Sequence, residues 1–316
     1  MKYVLITPAR NEEALISKVL DSVTVQTMPP LRWVIVDDGS KDRTAEIVED
    51  YARRFLWIQL LRRPPHLDRS FAGKVHAFNA GLERAGSLQF EVVGNLDADI
   101  TFDPGYLEFL MQRFSENPKL GVAGTPFVED SGYDSARDSF EGENYVAGGC
   151  QLFRRTCFDE IGGYVPNAAG GVDWIAVMSA RMKGWRVQSF SEKRFHHHRK
   201  LGTAEKGVLG ALFDYGQRAY YLGGSPIWQI FRGCYRMTKK PFILGGIALL
   251  SGYGWAALRL TKRPVSAEMI HFHRRDQLKK LRAILRALLR FRRVDSFRLE
   301  AGHEQDRKPA RAAELD

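Results

Sequence analysis

Cysteine is scarce in this sequence and is not arranged in pairs. The chain has 316 residues and three cysteines, Cys150, Cys157 and Cys234, with no C-x-x-C spacing. An odd and unpaired set of this kind excludes a disulfide framework and a zinc knuckle. The N-terminus, MKYVLITPARNEE, has an apolar run of only four residues, Tyr3–Ile6, which is shorter than a secretion signal requires. Both observations predict a protein of a reducing, cytoplasmic compartment.

Long apolar runs are also rare. The stretch Pro241–Leu258 contains no charged residue but is only 18 residues long, at the lower limit for a membrane span. It contains four glycines and is flanked by basic residues on both sides, whereas a spanning helix usually has its basic residues on the cytoplasmic side. The pattern therefore argues against a simple transmembrane helix.

Acidic residues are scarce in the C-terminal part. The formal net charge is +10, and residues 231–316 hold 20 Lys/Arg against 8 Asp/Glu. The segment His271–Arg293 has nine basic residues and one acid, with leucines at helical spacing. A basic amphipathic helix beside a marginal apolar segment favours in-plane insertion at an anionic membrane surface. A buried helical hairpin is the alternative. Nucleic acid is not expected as a partner because no aromatic platform accompanies the arginines.

The first half of the chain alternates short apolar runs with helical patterns. The sequence is 44% hydrophobic and 27% charged, an ordinary globular composition that excludes a disordered or fibrous chain. Continuous apolar strands separated by helices of this length predict an α/β fold, with a mostly parallel sheet flanked by helices. We expect one large domain over 1–230, whose pattern loosens into short strands and glycine-rich turns after about residue 120. A membrane-associated helical region over 231–294 and a disordered tail over 295–316 follow.

Three polar clusters each follow a predicted strand: Pro8–Glu12, Asp37–Ser40 and Asp97–Asp99. Ligands of parallel sheets bind at the carboxyl ends of the strands, so these clusters are expected to share one crevice. Two acids in a loop are usually only solvated. At a strand end, however, Asp97 and Asp99 could converge on Mg²⁺ or Mn²⁺, which favour carboxylate and phosphate oxygens.

The order of four motifs closely resembles the family 2 glycosyltransferases, which have the GT-A nucleotide-sugar-binding fold. The motifs are Pro8-x-x-Asn-Glu12, Val36-Asp-Asp-Gly-Ser-x-Asp-x-Thr44, Gly73-Lys74…Asn79-x-Gly81 and Asp97-x-Asp99. The resemblance covers about residues 1–230 and implies a catalytic domain there, with a donor half over about 1–120 that binds the nucleotide-sugar and an acceptor half over about 121–230. It implies an inverting transfer from a nucleotide-activated sugar with a divalent metal, Mg²⁺ or Mn²⁺.

The same resemblance implies roles for individual residues of the donor half. Pro8, Arg10 and Glu12 would border the nucleotide site, and Asp38 would bind the base. Lys74 would lie near the base or the diphosphate. Asp97 would lie near the ribose, and Asp99 would bind the metal.

The acceptor half departs from the family pattern. The family has a Glu-Asp pair at the start of a helix, whereas Val172 precedes Asp173 here. Asp173 is the residue that the resemblance implies as general base, with a plain helix N-cap as the alternative. Trp174 would stack on the acceptor sugar or belong to the core. Gly149, in a Gly-Gly turn, would floor the acceptor site or serve only the turn.

The histidine cluster His196-His197-His198 could supply a further metal ligand. Strand alternation places His196 and His198 on one side, and His198 is the preferred ligand. Arg199 would stabilise the departing nucleoside diphosphate in either case. The alternative is that the whole cluster lines the diphosphate pocket.

These residues lead to an expected activity. We expect a glycosyltransferase that moves one sugar, from a UDP-sugar first of all, to a hydroxyl of a lipid-linked glycan. The C-terminal pattern resembles bacterial members of surface-polysaccharide assembly, and the Q-x-x-R-W sequence of processive synthases is missing. The expected location is the cytoplasmic face of the bacterial inner membrane, peripheral or monotopic. The alternatives are a polyprenyl-phosphate sugar synthase and a non-catalytic nucleotide-binding membrane adaptor.

Overall fold

The computed structural model describes residues 1–64, 71–167, 170–199, 207–290, 295 and 297. The disorder predicted for the tail over 295–316 therefore lies almost entirely outside the described residues.

The described chain alternates strands and helices. The strands are β1 (Tyr3–Ala9), β2 (Arg32–Asp37), β3 (Ile58–Arg62), β4 (Val92–Leu96), β5 (Ile100–Thr101), β6 (Leu120–Gly124), β7 (Phe127–Glu129), β8 (Cys150–Arg154), β9 (Arg186–Ser189) and β10 (Phe195–His197). The helices are α1 (Ile16–Thr24), α2 (Thr44–Arg54), α3 (Phe71–Ala85), α4 (Tyr106–Glu116), α5 (Ser135–Asp138), α6 (Arg155–Glu160), α7 (Val172–Met182), α8 (Val208–Tyr221), α9 (Pro226–Met237), α10 (Leu244–Leu258) and α11 (Ala267–Leu289).

The main sheet has seven strands in the order β3-β2-β1-β4-β8-β6-β9. Its ladders are parallel except for the two that β8 makes with β4 and β6. The predicted α/β class and mostly parallel sheet are confirmed. Because β1, β2 and β4 run in parallel, the three polar clusters that follow them meet at one edge of the sheet.

Helices cover both faces of this sheet. Along β1, Tyr3 and Leu5 belong to one buried cluster, whereas Val4 and Ile6 belong to the other. This is the side-chain alternation of a strand with two buried faces. Helix α3 lies directly on the second face, where a Cβ at Gly81 would be 2.6 Å from the Ile6 side chain. The core is thus centred on the strands whose ends carry the polar clusters.

A second sheet of three strands, β5-β10-β7, was not predicted. Strand β5 follows the Asp97–Asp99 cluster directly, and β10 carries the histidines. The antiparallel pairing of His196 with Thr101 and of His197 with Ile100 brings the histidine strand beside that cluster. This small sheet therefore joins the donor half to the end of the acceptor half.

The C-terminal helices form a closely packed group that starts earlier than predicted. The boundary expected at residue 230 falls inside α9, and α8 already packs on α10. A Cβ at Gly216 would be 2.0 Å from the Leu249 carbonyl oxygen, and one at Gly252 would be 2.0 Å from that of Phe213. Two nearly touching backbones explain why α8 belongs with this group.

The apolar segment Pro241–Leu258 forms α10 and the turn before it. Among the described helices, none combines the length and the apolar character that a membrane crossing needs. The buried glycines of α10 pack against α8 and α9, while Ile247, Trp255 and Leu258 are exposed. The segment is therefore packed on one side and exposed on the other.

Candidate active site

The loops after β1 and β2 are bound to each other. The Asn11 side chain accepts a hydrogen bond from the Lys41 backbone at 2.8 Å, and the Glu12 backbone donates to the Thr44 hydroxyl at 2.7 Å. Asn11 has a φ of 55°, in the left-handed region that asparagine tolerates better than most residues. Pro8 and Arg10 lie at this end of β1, beside the end of β2. The predicted nucleotide-site loops thus form one rigid unit.

Asp38 lies at this edge and is almost fully buried. The Arg63 guanidinium, which follows β3, forms an ion pair with its carboxylate. Sequence reasoning did not single out Arg63, because only the parallel pairing of β2 with β3 brings it next to Asp38. The pair presents both an acceptor and a donor where the base of a nucleotide was expected.

Lys74 and Asp97 form the central ion pair of the site. The Lys74 Nζ atom is 2.6 Å from Asp97 Oδ1, to which Asn95 also donates at 3.3 Å. Burial would lower the pKa of Lys74, but the charge and hydrogen bond of Asp97 outweigh it and raise that pKa. The ammonium is therefore fixed as a cation, and the charges of Asp99 and Asp173 act on it in the same direction.

A Gly-Gly turn connects the two halves of the site. The Asp97 backbone donates to the Gly149 carbonyl at 2.8 Å, and the Asn95 side chain donates to the Gly148 carbonyl at 2.7 Å. On the other side, a Cβ at Gly148 would lie 2.7 Å from Asp173 Oδ2. Only glycine at position 148 lets the Asp173 carboxylate approach the turn this closely. The structure therefore brings Gly149, Asp97 and Asp173 together.

Asp173 lies in the first turn of α7, which begins after Gly171. The N-cap residue of α7 is Gly171 and not Asp173, and Tyr145 donates its hydroxyl to Asp173 Oδ2 at 3.1 Å. Burial, with the charge of Asp173 acting in the same direction, raises the pKa of Tyr145 well above its usual range. The phenol therefore stays protonated and orients the carboxylate. Tyr145 carries no sequence motif, and sequence reasoning missed it.

Trp174 is almost fully buried and packs with Met178, Leu222 and Met269. Its ring meets the His273 ring edge-on, with 4.6 Å between centroids. These contacts favour the core alternative for Trp174, although its side chain also lines the cavity described below.

The imidazole of His197 faces the Asp99 carboxylate, whereas that of His198, the predicted ligand, does not. His197 Nε2 is 3.6 Å from Asp99 Oδ1, whereas His198 Nε2 is 3.0 Å from Thr101 Oγ1. The rings of His196 and His198 are neighbours with centroids 4.5 Å apart, so the predicted alternation is confirmed. The His198 side chain thus points away from the Asp99 carboxylate, on the other side of the strand from His197.

Arg199 connects the histidine strand to the donor loops. Its guanidinium binds both carboxylate oxygens of Glu12 and lies 4.0 Å from Asp99 Oδ2. The bidentate pair fixes the guanidinium with charge-assisted bonds. Arg199 therefore lies between the nucleotide loops and the Asp99 carboxylate, and its role toward the departing diphosphate stays a prediction.

The donor set around Asp99 suits a hard divalent cation. Within the described residues, no group of three or more His, Cys, Asp or Glu side chains converges on one point. Asp99 is buried, and its carboxylate faces a single imidazole, that of His197. Mg²⁺ and Mn²⁺ accept one or two protein ligands when substrate phosphates complete the shell. The residues present fit such an ion when a nucleoside diphosphate is bound.

A cavity of about 760 Å³ opens over this site. Lys74, Asp97, Gly149, Asp173 and His197 all line it. It continues between α8, α9 and α11, so the C-terminal helices form its far wall. A volume of this size is typical of small-molecule sites and leaves room for a second substrate beside a donor.

Two solved structures share this fold along nearly the whole chain. A mannosyltransferase from Pyrobaculum calidifontis, in complex with GDP-Man and Mn²⁺, has a TM-score of 0.55 at 17% identity, over 97% of this chain and 88% of that one. Residues 1–349 of TarS from S. aureus, in complex with UDP-GlcNAc, have a TM-score of 0.55 at 16% identity, over 98% and 93%. At such identities the likeness shows the fold alone.

A curated relative is similar over part of the chain. The poly-beta-1,6-N-acetyl-D-glucosamine synthase of Staphylococcus epidermidis is 33% identical over 123 residues, which are 38% of this chain and 27% of the relative. The match therefore spans about a quarter of the relative's length. The model of the family described as "Glycosyl transferase family 2" matches residues 4–166, more than half of this sequence. The chain thus belongs to the family 2 glycosyltransferases.

Proposed function

We propose that this enzyme transfers a single sugar, with inversion, from a nucleoside-diphosphate sugar to a hydroxyl of a lipid-linked glycan. The observation that carries the proposal is the Gly148-Gly149 turn, which holds the Lys74–Asp97 pair on one side and Asp173 on the other. A donor beside Asp97 and an acceptor beside Asp173 would meet above this turn. A UDP-sugar is the first donor to test, followed by GDP- and dTDP-sugars.

Asp173 serves as the general base in this proposal. Its carboxylate accepts the proton of the acceptor hydroxyl while the hydroxyl oxygen bonds to the anomeric carbon. The bond from that carbon to the diphosphate oxygen breaks, and the nucleoside diphosphate leaves with the electron pair. Attack from the face opposite the leaving group inverts the configuration. Arg199 stabilises the negative charge that develops on the departing diphosphate.

Asp99 and His197 would hold the divalent cation, Mg²⁺ or Mn²⁺. When bound, such an ion neutralises charge on the diphosphate of the donor. Lys74 contributes a fixed ammonium on the Asp97 side, and Tyr145 keeps the Asp173 carboxylate in place.

The proposed location is the cytoplasmic face of a bacterial inner membrane. Most large apolar side chains that are exposed among the described residues belong to residues 208–289. Together with the basic excess of residues 231–316, they support peripheral or monotopic binding to an anionic surface.

A polyprenyl-phosphate sugar synthase is the second candidate. Arginines line the far wall of the cavity, and Val172 replaces the first acid of the family's usual pair. A lipid phosphate needs cations around it more than it needs a base. In that case Asp173 would be dispensable, which separates the two candidates.

The test compares wild type with Asp173→Asn and with Asp159→Asn, an exposed acid on α6. Each full-length protein is incubated in detergent with Mn²⁺, a panel of nucleotide sugars and a membrane extract as acceptor source. We expect Asp173→Asn to lower transfer by at least about 100-fold and to leave donor affinity within about twofold. Asp159→Asn should behave as wild type.

Three results would contradict the proposal in different ways. Transfer that survives Asp173→Asn would favour the lipid-phosphate acceptor. Donor binding without transfer to any acceptor would favour the adaptor. The absence of any donor binding, with no response to Mn²⁺, would remove the glycosyl-transfer proposal altogether.

A further inference from the structure

The far wall of the cavity is rich in cationic side chains. Arg218 on α8 and Arg232 and Arg236 on α9 line it, next to the aromatic rings of Trp228 and Tyr235. None of these residues belongs to the motifs of the donor half. The wall therefore needs an explanation other than nucleotide binding.

Gln229 lies in this wall and is only 1% exposed. Neither its side-chain nitrogen nor its side-chain oxygen has a hydrogen-bond partner among the described residues. A buried amide left without partners is costly, so such groups normally face water or a ligand. Because Gln229 lines the cavity, its amide is available to a molecule bound there.

The Arg232 guanidinium, one turn of α9 further on, is half-buried. Within the described part of the chain it makes no hydrogen bond and no ion pair. Other cations of the cavity differ: Arg181 binds Asp276 with two bonds of 3.0 Å, and Lys280 donates to the Glu141 carbonyl at 2.7 Å. Arg232 thus offers a positive charge that has no ion-pair partner among the described residues.

Arg232 and Gln229 line the same cavity as the proposed base, Asp173, and Tyr215 lines it as well. Burial raises the pKa of Tyr215, the charges of Arg218 and Arg232 oppose that rise, and the charge of Asp173 adds to it. A group bound by Arg232 would therefore share one cavity with Asp173.

We propose that Arg232 and Gln229 bind a phosphate group of the acceptor, so that the substrate is a phosphate-bearing lipid or glycan. This inference rests on the proposed function and narrows its acceptor class. Guanidinium and amide N–H groups both donate to phosphate oxygens, and arginine matches phosphate with paired hydrogen bonds. The aromatic rings beside them provide an apolar surface for the chain that the phosphate carries.

The test measures the preference for a phosphate directly. Citronellyl phosphate and citronellol, which share one short isoprenoid chain, are titrated into the full-length protein by calorimetry. We expect wild type to bind the phosphate about tenfold or more tightly than the alcohol, and Arg232→Gln to abolish this preference. Gln229→Leu, with similar volume, should reduce the preference and keep the melting temperature. Arg282→Gln, an exposed cation of α11, is the matched control and should change nothing.

The same variants are titrated with the nucleotide sugar that wild type binds. Unchanged donor affinity in Arg232→Gln supports an acceptor subsite, whereas a loss of donor affinity would assign these residues to the donor diphosphate and overturn the inference. Wild type without a phosphate preference, or a preference that survives Arg232→Gln and Gln229→Leu, would also overturn it. Failure of the proposed function is distinguishable, because it would appear as no donor binding at all.

Discussion

Adjacent histidines at the end of β10 contact different neighbours. His197 faces the Asp99 carboxylate, and the next residue, His198, faces Thr101 because successive side chains of a strand point to opposite sides. Burial, together with the charge of His196, lowers the pKa of His198. His198 can therefore serve as the control for His197, because both side chains are imidazoles and only that of His197 faces Asp99.

We predict that His197→Ala raises the Mn²⁺ concentration for half-maximal transfer by about tenfold, because it removes the imidazole beside Asp99. His198→Ala is the control and should leave this concentration close to that of wild type. The measurement is transfer rate against Mn²⁺ concentration at saturating donor. A larger effect of His198→Ala would instead support His198, the metal ligand that the sequence analysis prefers.

At this scale, sequence motifs predict candidate site residues but not their partners. Lys74, Asp97 and Asp173 are candidates because the family's motifs mark their positions. Tyr145 is 28 residues from Asp173, and Arg63 is 25 residues from Asp38. No local pattern marks such pairs, since only the packing of separate elements brings them together.

Among the elements, the position of most strands and helices could be predicted and their ends could not. The helical pattern over residues 12–25 predicts a helix from Glu12, but α1 begins at Ile16, because Glu12 to Leu15 form a turn whose Glu12 N–H donates to the Thr44 hydroxyl. The reversed direction of β8 was not predicted either. The apolar run Cys150–Arg154 fits a strand of either direction, and direction depends on tertiary connections.

Close packing of α8 on α10 gives a prediction at the element scale. Gly252→Ala would place a Cβ 2.0 Å from the Phe213 carbonyl oxygen, so the two helices must separate. We expect a loss of about 1–3 kcal/mol in the free energy of unfolding. Gly254→Ala, in the same helix with no atom within 4 Å of its Cβ, should instead gain up to about 1 kcal/mol. Urea unfolding measures both, and equal effects would contradict the close contact.

For the molecule as a whole, basic and exposed apolar residues coincide. Residues 231–316 contain 20 Lys/Arg, and the exposed leucines of α11, Leu285, Leu288 and Leu289, lie within this region. The same helix lines the cavity through Lys280, which is almost fully buried. If the enzyme binds a membrane through these helices, the far wall of the cavity lies close to the lipid. This arrangement would suit a lipid-linked substrate.

We therefore predict that the full-length protein floats with vesicles of phosphatidylglycerol but not with neutral phosphatidylcholine vesicles, and that added salt weakens the binding. Leu288→Asp should reduce binding about tenfold, because an apolar side chain of the contacting face is replaced by a charge that repels anionic lipid. Leu56→Asp, at an exposed leucine before β3, is the matched control and should not alter binding. Equal flotation with neutral vesicles would contradict binding to an anionic surface. Equal losses in both variants would mean that α11 is not the membrane-binding element.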